Sequence, residues 1–408
     1  MTRITLSDDM AAPATRAVFA ALEARGGKGC VRFVGGCVRN LIMNKPVSDL
    51  DLSTQLLPGE TEAALAAAGI KSVPTGKDFG TITAVVDGAP FEITSLREDV
   101  ETDGRRAVVT YTTDWARDAQ RRDFYLNALY ADIDGEVYDP TGFGLEDTRA
   151  GRVRFIGDAE TRIREDYLRI LRFFRFSAGY ATGIDPESLA ACVRLKDGID
   201  RLSGERIWGE MSKMMELASA LRAFETMQAA SVMPYVMPGW TLQDKHLPEF
   251  AAMLAMSRDT ELRMMALIDS GIGLTPEAIR TLRQRLKFST AFDNRLRDAA
   301  MVVSLCADID EAGLVRLTYL HGKTAMEDAL YLLAIHAGEG PPTALLRDLA
   351  ETPLPVFPVK GADLIARGMT AGPEVGQRLK QLETDWVNHD FSQSVIDAGL
   401  DAVAKKPS

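Results

Sequence analysis

The chain has 408 residues, 46% of them hydrophobic and 26% charged, which excludes a mainly disordered protein and leaves material for about two to four domains. Lys plus Arg number 47 against 58 Asp plus Glu, a formal net charge of −11. That balance excludes a basic coat over the whole surface but not a local basic face, because binding responds to the potential at the site.

In chain order, residues 13–25 read as an amphipathic helix, and Val31 to Val34 as a short apolar strand running into Gly35-Gly36. A helix from about Cys37 to Met43 follows. Leu50 to Thr54 alternates as a strand, with Asp49, Asp51 and Ser53 on one face. Thr61 to Ala68 is Ala-rich and helical. Thr81 to Val86 and Phe91 to Leu96 are strands joined across Asp87-Gly88 in hairpin style. Val137 and Tyr138 end a further strand before Asp139-Pro140. From about residue 155 helical patterns dominate, with Pro and Gly breaks near 234–239, 271–276, 338–342 and 353–361. The expectation is an α+β chain, a mixed-sheet head followed by helices in several pieces.

Cys30, Cys37, Cys192 and Cys306 form no CxxC and read as reduced thiols. The start, MTRITLSDDM, has no signal pattern, and no apolar run approaches the ~20 residues of a membrane span. A cytoplasmic location is expected, with no membrane and no protein partner. The four histidines lack zinc spacing, and His389-Asp390 has too few residues around it for a metal phosphohydrolase.

The chemistry concentrates in Gly35-Gly36-Cys37-Val38-Arg39-Asn40 followed by Asp49-Leu50-Asp51. A strand ending in Gly-Gly at a helix start presents backbone N–H groups to an anion, and Arg39 can grip phosphate oxygens. Alternate strand positions put Asp49 and Asp51 side by side. Two such carboxylates repel unless a cation sits between them, and hard oxygen donors suit Mg²⁺. Phosphate binding beside a two-carboxylate metal site is the layout for in-line displacement at phosphorus. Glu92, on a neighbouring strand, is either a third carboxylate acting as base or ligand, or an ordinary strand-face residue. Arg121 and Arg122 can neutralise a triphosphate, and Asp123 and Asn127 can hold ribose hydroxyls.

Further on, Glu165-Asp166-Tyr167-Leu168-Arg169 continues to Arg172 and Arg175. On a single helix, Asp166, Arg169, Arg172 and Arg175 form a slanted polar stripe opposite Tyr167, Ile170, Leu171 and Phe174. An Asp acceptor with an Arg donor matches the amino donor and ring-nitrogen acceptor of cytosine or of adenine; guanine and uracil present the reverse order. A charged outer helix face with an internal ion pair is the plainer alternative.

The stretches VGGCVRN, SDLDLST, RRDFYLNALY and REDYLRILRFFRF, in this order, resemble the class II tRNA nucleotidyltransferase and bacterial poly(A) polymerase family. The resemblance covers residues 33 to about 213. It implies a polymerase β-like catalytic head (1–150), a neck with the base-reading motif (151–215), a body (216–335) and a tail (336–408) that holds the tRNA elbow. It implies addition of CCA to the tRNA 3′ end from CTP and ATP, with two Mg²⁺ ions at Asp49 and Asp51. Gly35, Gly36, Arg39, Arg121, Arg122, Asp123, Asn127, Asp166, Arg169, Arg172 and Arg175 bind the nucleotide on this reading. Poly(A) polymerase, or an enzyme adding only the terminal A, is the rival; a noncatalytic RNA-binding protein of the same fold is another, against which the intact aspartate pair argues. The charged segment with Arg97, Asp103, Arg105 and Arg106 resembles the family's flexible loop, needed for A addition, and reads as mobile. Glu205-Arg206-Ile207 with Glu210 resembles a motif that braces the neck. One departure stands out: the family pattern is GGxVRD, and Asn40 replaces its aspartate. If that position braces the loop, little changes; if its charge holds Arg39, nucleotide affinity falls.

Overall fold

The computed structural model describes residues 2–47, 49–76, 80–103, 106–241, 243, 246–306 and 311–404. They form two compact units, Met1–Gly239 and Trp240–Ser408. The division falls at the Pro-Gly cluster near 234–239.

The first unit opens with β1 (Thr2–Arg3), α1 (Asp8–Ala11), α2 (Pro13–Gly26), β2 (Val31–Val34), α3 (Gly36–Ile42) and β3 (Asp51–Thr54). Next come α4 (Pro58–Ala67), β4 (Lys71–Gly76), β5 (Thr81–Val86), β6 (Ala89–Ser95), β7 (Arg97–Asp103) and β8 (Arg106–Tyr111). The head ends with α5 (Trp115–Gln120), β9 (Tyr130–Ala131), β10 (Glu136–Tyr138) and α6 (Gly144–Ala150). Eight strands form one sheet in the order β1-β10-β9-β2-β3-β6-β5-β4. Strands β3 and β6 run parallel, while β2 pairs antiparallel with both β3 and β9. The β5–β6 hairpin turns on Asp87 and Gly88, both at positive φ (52° and 82°), as a two-residue turn of matching twist requires.

Strand parity places the core. Val31 and Phe33 of β2, Ile82 and Ala84 of β5, and Phe91 and Ile93 of β6 are buried with Phe19 and Leu22 of α2 and Leu65 of α4. The Phe19 and Phe33 rings lie 4.8 Å apart.

Two expectations are corrected here. The segment read as a mobile loop is largely an antiparallel ribbon, β7 with β8, registered from Arg97↔Tyr111 to Asp103↔Arg106; Arg105 lies outside the described residues. Its ladder of backbone hydrogen bonds does not depend on the apolar alternation that marks strands in sequence. The single helix expected through Asp166 is broken. Helix α7 (Ala159–Glu165) stops, Asp166 is extended (φ −157°, ψ 105°), and α8 (Leu168–Tyr180) begins anew. The Asp166 carboxylate accepts the Leu168 N–H at 3.1 Å, satisfying a donor that the new helix start leaves open.

The rest of this unit comprises α9 (Pro186–Arg194), α10 (Gly204–Met215), α11 (Ala220–Ala229) and α12 (Met233–Val236). An aromatic cluster ties α8 to the head: Phe124 lies 4.9 Å from Phe155, 5.4 Å from Phe176 and 6.4 Å from Phe173, centroid to centroid. Each buried ring contributes about 1.5–3 kcal/mol. Tyr167 packs over Gly198, where a Cβ would stand 1.9 Å from the tyrosine ring, so no larger residue fits there.

The second unit is helical, from α13 (Leu247–Met256) to α22 (Gln393–Ala404). Its buried Trp240 donates from Nε1 to the Leu267 carbonyl at 2.6 Å. Trp386 collects Tyr319, Phe357 and Phe391 at 5.8, 5.4 and 4.9 Å. Among the described residues, no helix is long and apolar enough to cross a membrane.

Candidate active site

The glycine turn leads from β2 into α3. Gly35 has φ 68° and ψ −115°, a conformation that side chains disfavour, and its N–H donates to the Leu129 carbonyl at 3.1 Å. A Cβ there would lie 3.8 Å from Nη1 of Arg122, so that guanidinium borders the turn. Alongside, Asp51 opens β3 and is the register partner of Glu92 on β6. Asp49 stands just before the strand. Asp49, Asp51 and Glu92 line a cleft of about 570 Å³ together with Asp9 and Thr15. The Asp51 carboxyl is held above its ordinary range: desolvation in the cleft is the largest cause, then the charge of Glu92, with Asp49 adding and Arg122 opposing. A carboxylate pushed up by its neighbours favours a cation, so the donor set fits a hard divalent ion. Among the described residues, no three His, Cys, Asp or Glu side chains are gathered tightly enough to hold an ion unaided. Mg²⁺ does not demand it, since one or two carboxylates plus substrate phosphates suffice.

Arg121 and Arg122 converge on one carboxylate that the sequence reading passed over. Asp118 accepts Nε of Arg121 at 2.8 Å and Nη2 of Arg122 at 3.0 Å. It sits three and four residues earlier, a spacing that on a helix brings side chains together. Arg122 also reaches Ser53 Oγ at 3.4 Å, on the strand that carries Asp51.

Arg39 is buried, 5% exposed, and its hydrogen-bond partners are uncharged side chains. It donates from Nη1 to Asn127 Oδ1 (2.5 Å) and from Nη2 to the Tyr180 hydroxyl (2.7 Å), with its guanidinium 3.8 Å from the Tyr180 ring centroid. Asn40 Oδ1 accepts from Nε and Nη2 of Arg39 at 3.1 and 2.8 Å, while its amide nitrogen donates to the Pro46 carbonyl at 2.7 Å. An aspartate accepts but cannot donate, so this bridge to the segment before Asp49 needs the amide. Asp123 accepts from Asn127 Nδ2 (3.0 Å) and from Arg172 Nε (2.7 Å), which links the Arg39 network to α8.

In the neck, Asp166 and Arg169 do not pair with each other through their side chains, as the plainer alternative of an internal ion pair would have it; each has another partner. Asp166 Oδ2 accepts from Arg206 of α10 at 2.7 Å. Arg169 is paired with Glu165 and donates to the carbonyls of Arg162 and Arg121, at 2.9 and 3.3 Å. Arg172 and Arg175 both face the buried Glu210, at 3.7 and 2.7 Å. Motifs far apart in sequence thus meet: Arg169 touches the arginine pair through the Arg121 carbonyl, and α10 holds the charges of α8. Arg97 begins the ribbon and donates its backbone N–H to Asp118 at 3.3 Å; Asp103 and Arg106 lie at its far end.

A mixed sheet with a glycine turn, paired aspartates at the start of a central strand and a nearby arginine pair, followed by helices, defines a nucleotidyltransferase. The model of the poly(A) polymerase head domain matches residues 31–154, and that of the probable RNA- and SrmB-binding site of polymerase A matches residues 183–243. The chain is 33% identical over 378 residues to the mitochondrial CCA tRNA nucleotidyltransferase 1 of Danio rerio, covering 89% of this chain and 85% of that protein. It is 29% identical to the CCA-adding enzyme of Leuconostoc citreum, covering 91% and 90%. Among solved structures, the Bacillus stearothermophilus CCA-adding enzyme in complex with CTP superposes with a TM-score of 0.76 at 27% identity, covering 96% of this chain and 98% of that one. The chain belongs to the CCA-adding tRNA nucleotidyltransferase family.

Proposed function

We propose that this enzyme adds C, C and A to the 3′ end of tRNA from CTP and ATP, releasing pyrophosphate. The observation that carries the reading is the near full-length similarity to enzymes named for CCA addition, joined to the glycine turn, aspartate pair and arginine pair of the head. On this reading Asp49 and Asp51 hold Mg²⁺, with Glu92 beside them as a further carboxylate. The ion, when bound, supplies charge neutralisation at the entering and leaving oxygens. Arg121 and Arg122 take the triphosphate at the glycine turn. Arg39 fixes the turn from below through Asn127 and Asn40, and Asp123 and Asn127 border the ribose.

Base choice falls to Asp166 and Arg169. Each is oriented by a charge outside the pair, Arg206 for Asp166 and Glu165 for Arg169. One acceptor and one donor set in this way suit the shared edge of cytosine and adenine and mismatch guanine and uracil. The body (216–335) and tail (336–408) are assigned to tRNA, the tail to its elbow, and the cytoplasm is the compartment that four free, buried cysteines suit. Incubation with tRNA lacking its CCA end, with CTP and ATP together and singly, tests the reading. Products ending in CCA support it; A tails without C support the poly(A) alternative.

A further inference from the structure

Asp118 is 1% exposed and accepts from four residues, three through side chains and one through its backbone. Its Oδ1 accepts from Arg121 and from the backbone N–H of Arg97; its Oδ2 accepts from Arg122 and from the Tyr130 hydroxyl at 2.7 Å. Burial alone would raise its carboxyl, but Arg122 and Arg121 outweigh that and hold it well below the usual carboxylate range. It is therefore an anion at any working pH. Two guanidiniums so close repel each other, and in water they would splay. One carboxylate between them removes that repulsion and leaves the trio with a single net positive charge. Arg122 then borders Gly35 and Ser53, the turn and the strand where a triphosphate and its metal would meet.

We propose that Asp118 is the positioning residue of the triphosphate site: it locks Arg122 at the glycine turn, with Arg121 beside it, before nucleotide arrives. It touches no substrate itself. This rests on the reading of the two arginines as phosphate ligands. Such preorganisation acts on ground-state and transition-state binding alike, so its loss appears in KM more than in kcat.

The test is Asp118→Asn, which keeps the shape and removes the charge, with Asp118→Glu and Tyr130→Phe beside it. KM and kcat for CTP and ATP are measured on tRNA lacking CCA, together with inhibition by inorganic tripolyphosphate and the melting temperature. A hydrogen bond to a charged group corresponds to about 10- to 100-fold. KM for both nucleotides and the inhibition constant of tripolyphosphate should rise by that factor in Asp118→Asn, with kcat changed by less than about 3-fold. Tyr130→Phe should move the same constants in the same direction by less, and Asp118→Glu should recover part of the loss. If Asp118→Asn does not fold, Tyr130→Phe decides. Unchanged KM and tripolyphosphate inhibition, with loss confined to kcat or to melting, overturns the proposal. Arg122→Ala separates the two levels. If it leaves tripolyphosphate inhibition unchanged, the phosphate reading itself fails. If it weakens inhibition and Asp118→Asn does not, only the role of Asp118 fails.

Discussion

Asp51 and Glu92 stand beside each other as register partners on the parallel strands β3 and β6. The head therefore puts carboxylates on adjacent strands in the interior of the sheet, and Asp51 carries the cost in a raised pKa. The sign follows directly. A carboxyl raised on folding makes the folded state bind its proton more tightly, so stability falls as pH rises from the ordinary aspartate value through the folded one, and the penalty stays in place above it. In metal-free buffer at pH 7, Asp51→Asn should melt no lower than wild type, and this relative advantage should vanish in acid below the usual aspartate range. Activity of the same variant should fall by more than the ~100-fold that loss of a residue merely supporting a metal ligand costs. Calorimetry across pH, paired with nucleotide incorporation in Mg²⁺, checks both halves.

The ribbon of β7 and β8 is expected to serve the final A. Removing residues 102–107 takes away the end of the ladder, including the pairs Thr102↔Ala107 and Asp103↔Arg106, and leaves its base from Arg97↔Tyr111 to Glu101↔Val108. CC addition should persist at near the normal rate while the terminal A is lost. Sequencing of products made with both nucleotides distinguishes this from a uniform decline.

Much of this was legible in sequence, and the failures share a cause. Strand β2, strand β5 and the Asp87-Gly88 hairpin follow from short-range alternation and turn chemistry. The turn and the aspartate pair were visible because the residues they need are close in sequence. The break at Asp166 was hidden because the apolar positions on either side stay in phase, so periodicity runs across it. The partners of the neck charges were hidden as well: Arg206 is 40 residues from Asp166, and Glu210 is 35 from Arg175. No local pattern encodes such pairs. The work done by Asn40 was also out of reach, since its second bond goes to the Pro46 carbonyl, a backbone atom that any residue type would provide.

Arg169→Ala should lose discrimination more than chemistry. The correct bases lose a donor, while the wrong ones lose an unfavourable contact. At about 1–3 kcal/mol per contact, preference for CTP over UTP should drop roughly 5- to 150-fold. Slow addition of all four nucleotides should persist, because the metal and phosphate ligands remain. The ratio of CTP to UTP incorporation at matched Mg²⁺ measures it; an unchanged ratio with uniformly lower activity assigns Arg169 to holding Glu165 alone.

In the second unit, His336 Nε2 donates to the Asp269 carboxylate at 2.6 Å, and that hydrogen bond raises its pKa above the ordinary 6.5. A raised histidine stabilises the fold fully below 6.5, and the contribution is lost as pH rises through the folded value. Because the side chain is 38% exposed, the effect is at most about 1 kcal/mol. The difference in melting temperature between wild type and His336→Gln should therefore be largest below pH 6.5 and shrink as pH rises above it, read from paired thermal scans.

On the proposed mechanism one site selects C twice and then A with no nucleic-acid template. Labelled CTP and ATP offered together to tRNA that ends before the first C, followed by sequencing of every 3′ end, tests it most directly. Products that stop at CCA are expected, with CC alone when ATP is withheld. Runs of A on the same tRNA, with CTP left unused, would contradict it.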